Sequence, residues 1–261
     1  TSDNLSGVGS TKYVIDTNEN TQSTDVISSG NNLLSNSLSL TDIPNGIQSL
    51  HLAAKDNAGN ISSLTYRLQI DTSIPDIIAI TGQYDNVWQN VDSGPVISWT
   101  NPSSPSGDTY YITNDGSTPT SNHYTYTTAS NTFDLPNQPE GQTIIEVVAK
   151  NGAGVYSVAR TFTIKYDNTS PVINTLTSST NPDQNTWYAS NNISTNWNIT
   201  DSQSGLSKVH MLLDQNQTQT NNYILTNGTQ TTAISSYETT TTEGTWYFHI
   251  LAVDNEGLTT Q

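Results

Sequence analysis

The sequence predicts an all-β protein built as a row of antiparallel two-sheet sandwiches, and three observations predict it. Short runs of alternating apolar and polar residues, the period of a half-buried strand, recur along the 261 residues, while helix signals are nearly missing. Between the runs sit Asn-Gly, Asp-Gly, Pro-Ser and Asn-Pro pairs, which supply turn geometry. The sequence also repeats. Asp71-Thr-Ser-Ile-Pro75 returns as Asp167-Asn-Thr-Ser-Pro171, placing the two prolines 96 residues apart. A period of that length is one small domain per repeat, not one turn of a solenoid.

Other landmarks recur at similar spacings. Ala53-Ala-Lys-Asp-Asn-Ala-Gly-Asn60 is echoed by Val148-Ala-Lys-Asn-Gly-Ala-Gly154 and Ala252-Val-Asp-Asn-Glu-Gly257. Asp3-Asn-Leu-Ser-Gly-Val8 returns as Asp201-Ser-Gln-Ser-Gly-Leu206, and Trp88 and Trp99 pair with Trp187 and Trp197. In the middle repeat the alternation predicts strands at 77–80, 96–100, 109–113, 132–135, 143–150 and 159–165. In the last it predicts strands at 172–176, 193–199, 208–213, 223–225, 232–237 and 246–253. About one hundred residues of such strands make an antiparallel sandwich.

The landmarks also set the frame. A unit starts after the Asp-to-Pro hinge, runs through its tryptophan strands and the Asp-x-x-Ser-Gly turn, and closes with a long strand, a Gly-containing turn and a final strand. Residues 76–166 then form one complete unit between hinges at 71–75 and 167–171. Residues 1–70 lack the first strands and 172–261 lack the last, so the chain reads as a segment of a longer array. An incomplete sandwich exposes a sheet edge and apolar core.

Composition bounds the function. The 23 acids against 7 bases give a net charge of −16. Phosphate recognition needs clustered Lys and Arg, and none cluster, which excludes nucleic acid as a partner and counts against anionic membrane surfaces. With no cysteine there is no disulfide framework, thiolate metal site or cysteine nucleophile. No apolar run reaches membrane-spanning length, so the segment makes no direct membrane insertion. Sequons begin at Asn4, Asn60, Asn168, Asn192, Asn198, Asn216 and Asn227. Among 30 Asn and 73 Ser or Thr, chance gives about 8 such triplets, so they permit glycosylation without indicating it.

Trp187-Tyr188, Ile193-Ser-Thr-Asn-Trp197, Asp201-Ser-Gln-Ser-Gly-Leu206 and Tyr247–Asp254 resemble the immunoglobulin-like (Ig-like) domains of large bacterial and archaeal cell-surface proteins. Those occur as tandem copies in adhesins and S-layer proteins, joined by hinges of the Asp-Thr-x-x-Pro kind. Tyr110-Tyr-Ile-Thr-Asn-Asp-Gly-Ser-Thr-Pro-Thr-Ser121 resembles the Ig-like module at the C-terminus of chitobiases. The resemblance implies an extracellular structural segment, part of an S-layer or similar coat, whose partners are neighbouring copies or other surface components. An adhesin stalk, or a non-catalytic accessory segment of a secreted carbohydrate-active enzyme, are its alternatives.

The residues give no catalytic constellation, and the sequence predicts a non-enzyme. His51, His123, His210 and His249 form no His-x-x-x-His or His-Glu pair, there is no Gly-x-Ser-x-Gly elbow, and Arg is limited to Arg67 and Arg160. Trp99 and Trp197 hold matching places in alternating strands, as core residues should. Trp88, Trp187 and Trp246 are divided between core and a sugar-stacking surface. The carboxylates invite calcium, a cation that takes six to eight oxygen ligands in irregular loops. Asp71 and Asp167 lie at the hinges, and Asp56 and Asp254 in the turn before the last strand. In the arrays that this chain resembles such aspartates bind calcium and stiffen the junction. The competing reading is a plain hairpin turn with Asp accepting backbone N–H. Asn151 replaces the turn aspartate of the middle unit, which weakens the site expected at the second junction.

Overall fold

The computed structural model describes residues 4–101, 104–232 and 235–261. Asp3 of the Asp3–Val8 landmark, and the middle of the strand expected over 232–237, lie outside the described residues. The chain is nearly all-β, with its strands gathered into mainly antiparallel sheets in three successive groups.

The first group is one four-stranded sheet, ordered β2-β1-β3-β4, made of β1 (Val8–Asp16), β2 (Asn31–Asn32), β3 (Gly46–Asp56) and β4 (Ile61–Ile70). A two-turn helix, α1 (Ser23–Ser29), inserts Val26 against it. Alternation along β3 buries Ser49, His51 and Ala53 on one face. Leu64 and Tyr66 of β4, cross-strand from Leu52 and Leu50, stand exposed.

The second group is a sandwich. Its smaller sheet, ordered β10-β7-β5, takes β5 (Ile80–Gly82), β7 (Val96–Trp99) and β10 (Thr132–Asp134). The larger, ordered β6-β12-β11-β8-β9, takes β6 (Trp88–Gln89), β8 (Asp108–Thr113), β9 (Tyr126–Thr128), β11 (Gly141–Asn151) and β12 (Arg160–Tyr166). Ile97 and Trp99 from one sheet meet Tyr110, Ile112, Ile145, Val147, Phe162 and Ile164 from the other. Trp99 is 2% exposed and meets the Tyr110 ring edge-on at 4.9 Å, as a sandwich core requires. Of the strand expected over 77–80 only Ile80 is laddered. Ile77 is fully buried, yet its carbonyl accepts the Arg160 Nε–H instead of a strand partner. Among the described residues β6 with β12 is the one parallel pair.

The third group repeats the plan with β13 (Val172–Ser178), β14 (Asn192–Thr200) and β17 (Ser236–Thr240) facing β15 (Leu206–Asp214), β16 (Thr229–Thr231), β18 (Tyr247–Asp254) and β19 (Thr259–Thr260). Trp197 is 6% exposed among Val209, Met211 and Ile250. The strand expected over 223–225 is instead helix α2 (Asn221–Asn227). Thr220 caps it by accepting the Tyr223 N–H, and only Ile224 turns inward. A segment with a single anchor suits one face of a short helix as well as a strand, and the threonine cap decides it.

Candidate functional site

The hinge aspartates reach into the unit that follows them. At the second hinge Asp167 is fully buried. Its own N–H donates to the Gln89 carbonyl at 2.9 Å, Oδ1 accepts from Thr169 N (3.1 Å), and Oδ2 accepts from Ser204 N (2.9 Å) in the Asp201–Gly205 turn. Gly205, at φ +85°, takes the left-handed conformation that closes this turn. Its carbonyl accepts from Asn255 N at 3.0 Å, which brings in the turn after β18. Asn90 Nδ2 also donates to the Glu256 carbonyl, at 3.1 Å.

Three carboxylates converge there. One oxygen each of Asp167, Asp201 and Asp254 lies within 4.8 Å of the others. Asp201 Oδ1 accepts from Gln203 N (3.1 Å) and Gly205 N (2.6 Å), while Asp254 Oδ1 accepts from Glu256 N (2.9 Å) and Leu258 N (2.8 Å). Asp254 is 1% exposed, and its Oδ2 has no partner among the described residues; Ser204 Oγ is buried and likewise unpartnered. None of the three acids makes an ion pair with a described base. Burial, and then the charges of Asp167 and Asp201, push the Asp254 carboxyl above its ordinary value; Glu256 is raised by burial and by Asp254 and Asp167. Clustered acids with an orphaned buried oxygen fit a hard, oxygen-seeking cation such as calcium, which would be held by Asp167, Asp201 and Asp254 and would cancel their repulsion.

The first junction uses the same scaffold with different chemistry. Asp71 Oδ2 accepts from Ser106 N at 3.2 Å, and the Gly107 carbonyl accepts from Gly152 N at 3.0 Å. Here the carboxylate also takes the hydroxyls of Ser73, Ser104 and Ser106, which hold its pKa well below the usual carboxylate range. Asn151 occupies the place of Asp254 and donates Nδ2 to the Ser73 carbonyl at 2.9 Å. Asp108 is the second acid near Asp71. Asn101 Nδ2 donates to its Oδ2 at 2.7 Å, and burial, then the Asp71 charge, raise its pKa.

Of the sequence candidates, the structure therefore brings Asp167 and Asp254 together and adds Asp201, which the Asp-x-x-Ser-Gly repeat had marked only as a turn. Asp71 sits at the other junction. Asp56 is in neither: its carboxylate accepts Asn60 N and Nδ2, both at 2.8 Å, as a hairpin turn does. Each hinge meets the turn of the unit after it. Asn151 accordingly bears on the first junction, not on the second.

The remaining candidates disperse. All seven sequon asparagines are exposed. Trp88 is half-buried beside β12, Trp246 is half-buried with its Nε1 on the Thr242 carbonyl, and Trp187 is 82% exposed. Two histidines share a motif that went unread in the sequence. His51 Nε2 lies 3.2 Å from Asp16 Oδ1 and 2.9 Å from the Asn18 carbonyl; His249 Nε2 lies 3.3 Å from Asp214 Oδ1 and 3.0 Å from the Asn216 carbonyl. The matching Asp-x-Asn tripeptides, each following a strand, were the available signal.

No protein-family model matches the chain, and no curated protein matches it. Solved structures do. A tetra-tandem repeat from the extending region of a large adhesion protein is 14% identical, over 95% of this chain and 64% of that one, with a TM-score of 0.32. The fibronectin(III)-like modules of Clostridium thermocellum CbhA are 14% identical over 70% and 89%, with a TM-score of 0.29. Part of a 1.5-MDa bacterial ice-binding adhesin is 16% identical over 83% and 72%, also at 0.29. The chain thus spans about two-thirds of the first structure's length. Among the described residues no helix is long and apolar enough to cross a membrane.

Proposed function

We propose that the chain is a structural segment of a large extracellular cell-surface protein, a spacer and contact module within an S-layer or similar coat; an adhesin stalk would use the same properties. The observation that carries this reading is the capture of each hinge carboxylate by the next unit, Asp71 by Ser106 N and Asp167 by Ser204 N. A spacer transmits distance only if its joints resist bending, and flexible Gly/Ser linkers do not. Here the joint is short and proline-ended, and its one charged side chain is spent on the neighbouring turn. The acidic, Lys-poor surface suits a protein crowded among copies of itself, since like charge keeps such surfaces from sticking. At the second joint calcium held by Asp167, Asp201 and Asp254 completes the lock.

Small-angle X-ray scattering of the chain tests the proposal. Rigid joints give a pair-distance distribution that Asp71→Ala and Asp167→Ala broaden while circular dichroism stays unchanged. A wild-type profile already as broad as that of the double variant overturns it.

A further inference from the structure

We infer that the uncovered face of the first sheet is a contact surface for a second copy of this chain, the two sheets packing face to face as the halves of one sandwich. The inference deepens the contact-module part of the reading above, on which it rests, by naming the surface through which that module meets its neighbour.

The face is set by register. Leu50 and Leu52 of β3 pair with Ile15 and Tyr13 of β1 on one side, and with Tyr66 and Leu64 of β4 on the other. Directly opposed residues of an antiparallel sheet share a face, so these six form one apolar patch. The opposite face, with Ser49, His51 and Ala53, is buried under α1. Gly30, which closes that helix, lies against the side chain of Val14, the cross-strand partner of His51. Among the described residues no second sheet lies over the patch. Leu64 is 65% exposed and Tyr66 63%. The positions flanking them on that face, Thr11, Gln48, Ala54, Ser62 and Leu68, are uncharged, in a chain of net charge −16.

The last group shows what such a face requires. β1, α1 and β3 return there as β15, α2 and β18 at a step of 198 residues, which carries Asp16 to Asp214, Val26 to Ile224 and His51 to His249. The same step carries Tyr13 and Leu52 to Met211 and Ile250. These are 3% and 4% exposed, in a core with Trp197 of the sheet β13-β14-β17. The first sheet thus presents a core face without the sheet that covers its counterpart. That covering sheet is committed to its own core, and the two sheets of the middle sandwich are committed to each other. The apolar sheet face left over is the same face on another molecule. Two copies joined about a two-fold axis set patch on patch with no like charges opposed, while the acidic remainder of the surface repels elsewhere. Three strands of 9 to 11 residues make a patch of about 30 Å by 15 Å. That is well under the ~800 Å² per partner of a standard interface. The dimer is therefore weak, formed where copies are crowded, as in a coat, and undone on dilution.

Sedimentation equilibrium of the chain, from micromolar to near-millimolar, tests this. The average mass should rise with concentration from 28.3 kDa toward twice that value. Salt, which screens the net charge, should strengthen the association. Leu64→Ser with Tyr66→Ser, or Leu64→Ser alone if the double variant misfolds, should weaken it at least tenfold with circular dichroism unchanged. Trp187→Ser, at the exposed indole of the last group, should associate as the wild type does. A wild type that stays monomeric, an association that survives the Leu64 and Tyr66 changes, or one that is lost with Trp187 overturns the inference. Scattering from the monomeric variant reads the joints separately: broad joints there overturn the spacer half of the reading above and leave the dimer standing.

Discussion

The carboxylate of Asp254 sits beside that of Asp167, so the last turn of one unit closes on the hinge that introduces it. Both residues are buried, at 1% and 0% exposure, and among the described residues neither is paired with a base. Like charges held this close oppose folding unless something positive lies between them. The sign of a substitution at Asp254 therefore depends on the cation. Asp254→Asn keeps an oxygen for the Glu256 and Leu258 amides and removes one charge. Without calcium it should raise the melting temperature; with calcium it should lower it relative to wild type, because the linkage stabilisation is lost. Scans with chelator and with millimolar calcium check this, and shifts of the same sign in both would refute it.

The pH dependence follows from the same groups. Asp254, Glu256 and Asp108 are raised in the folded state above the ordinary values of 3.8, 4.5 and 3.8. Between each ordinary value and its folded one, the folded protein binds more protons than the unfolded, so stability falls as pH rises through that window. Asp71 has the opposite sign, because its lowered pKa gives stability present above 3.8 and lost as pH falls through the folded value. Calcium should flatten the part due to Asp254 and Glu256 and leave that of Asp71 untouched. Urea midpoints measured from pH 3 to 7, with and without chelator, read the difference.

The tryptophans separate core from surface. Trp99 is 2% exposed against Tyr110, and Trp99→Ala should cost about 3–5 kcal/mol as a large core deletion. Trp187 is 82% exposed, and Trp187→Ala should stay within about 0.5 kcal/mol of wild type. Denaturant unfolding followed through the remaining indoles compares them. A Trp99 variant as stable as the wild type would contradict the packing described.

Much of this was legible in the sequence, for physical reasons that also mark where legibility ended. Val96–Trp99 and Gly141–Asn151 bury alternate residues, and a period of two survives in a low-hydrophobicity chain. The two helices were invisible because each anchors a single residue, Val26 or Ile224, which sets no period. Their ends were the better signal: Gly30 and Gly228 each donate N–H to the carbonyl of that anchor. The repeat marked Asp167 and Asp254, since both recur as landmarks. It could not say which hinge meets which turn, because that is decided by Ser204 N and Ser106 N across the joint. Asp201 was hidden for the same reason, its role being set by a contact and not by its neighbours in sequence.

One sheet edge yields the last prediction. In the middle sandwich β11 carries β12 alongside residues 141–147, and Trp88 is half-buried where β6 meets that same strand. In the last sandwich β18 is laddered to β15 along its whole length, but to β19 only at Ala252 and Val253. Among the described residues no strand is laddered to the side of β18 away from β15 between Tyr247 and Leu251. Beside it lies a cleft of about 1030 Å³ that Trp187, Tyr188, Trp246 and Tyr247 line. Backbone N–H groups on an open edge exchange through solvent without any unfolding. In hydrogen exchange of this chain, the amides between Tyr247 and Leu251 that point away from β15 should exchange orders of magnitude faster than those between Gly141 and Val147 that face β12. A synthetic peptide with the sequence of Arg160–Tyr166, the strand that lies along β11 in the middle sandwich, offered as a surrogate strand, should slow them and alter the fluorescence of Trp187 and Trp246. The same peptide with its Phe and Ile replaced by Ser should do neither. Full protection of the 247–251 amides in the chain alone would show that the edge is already covered and would remove the basis for the prediction.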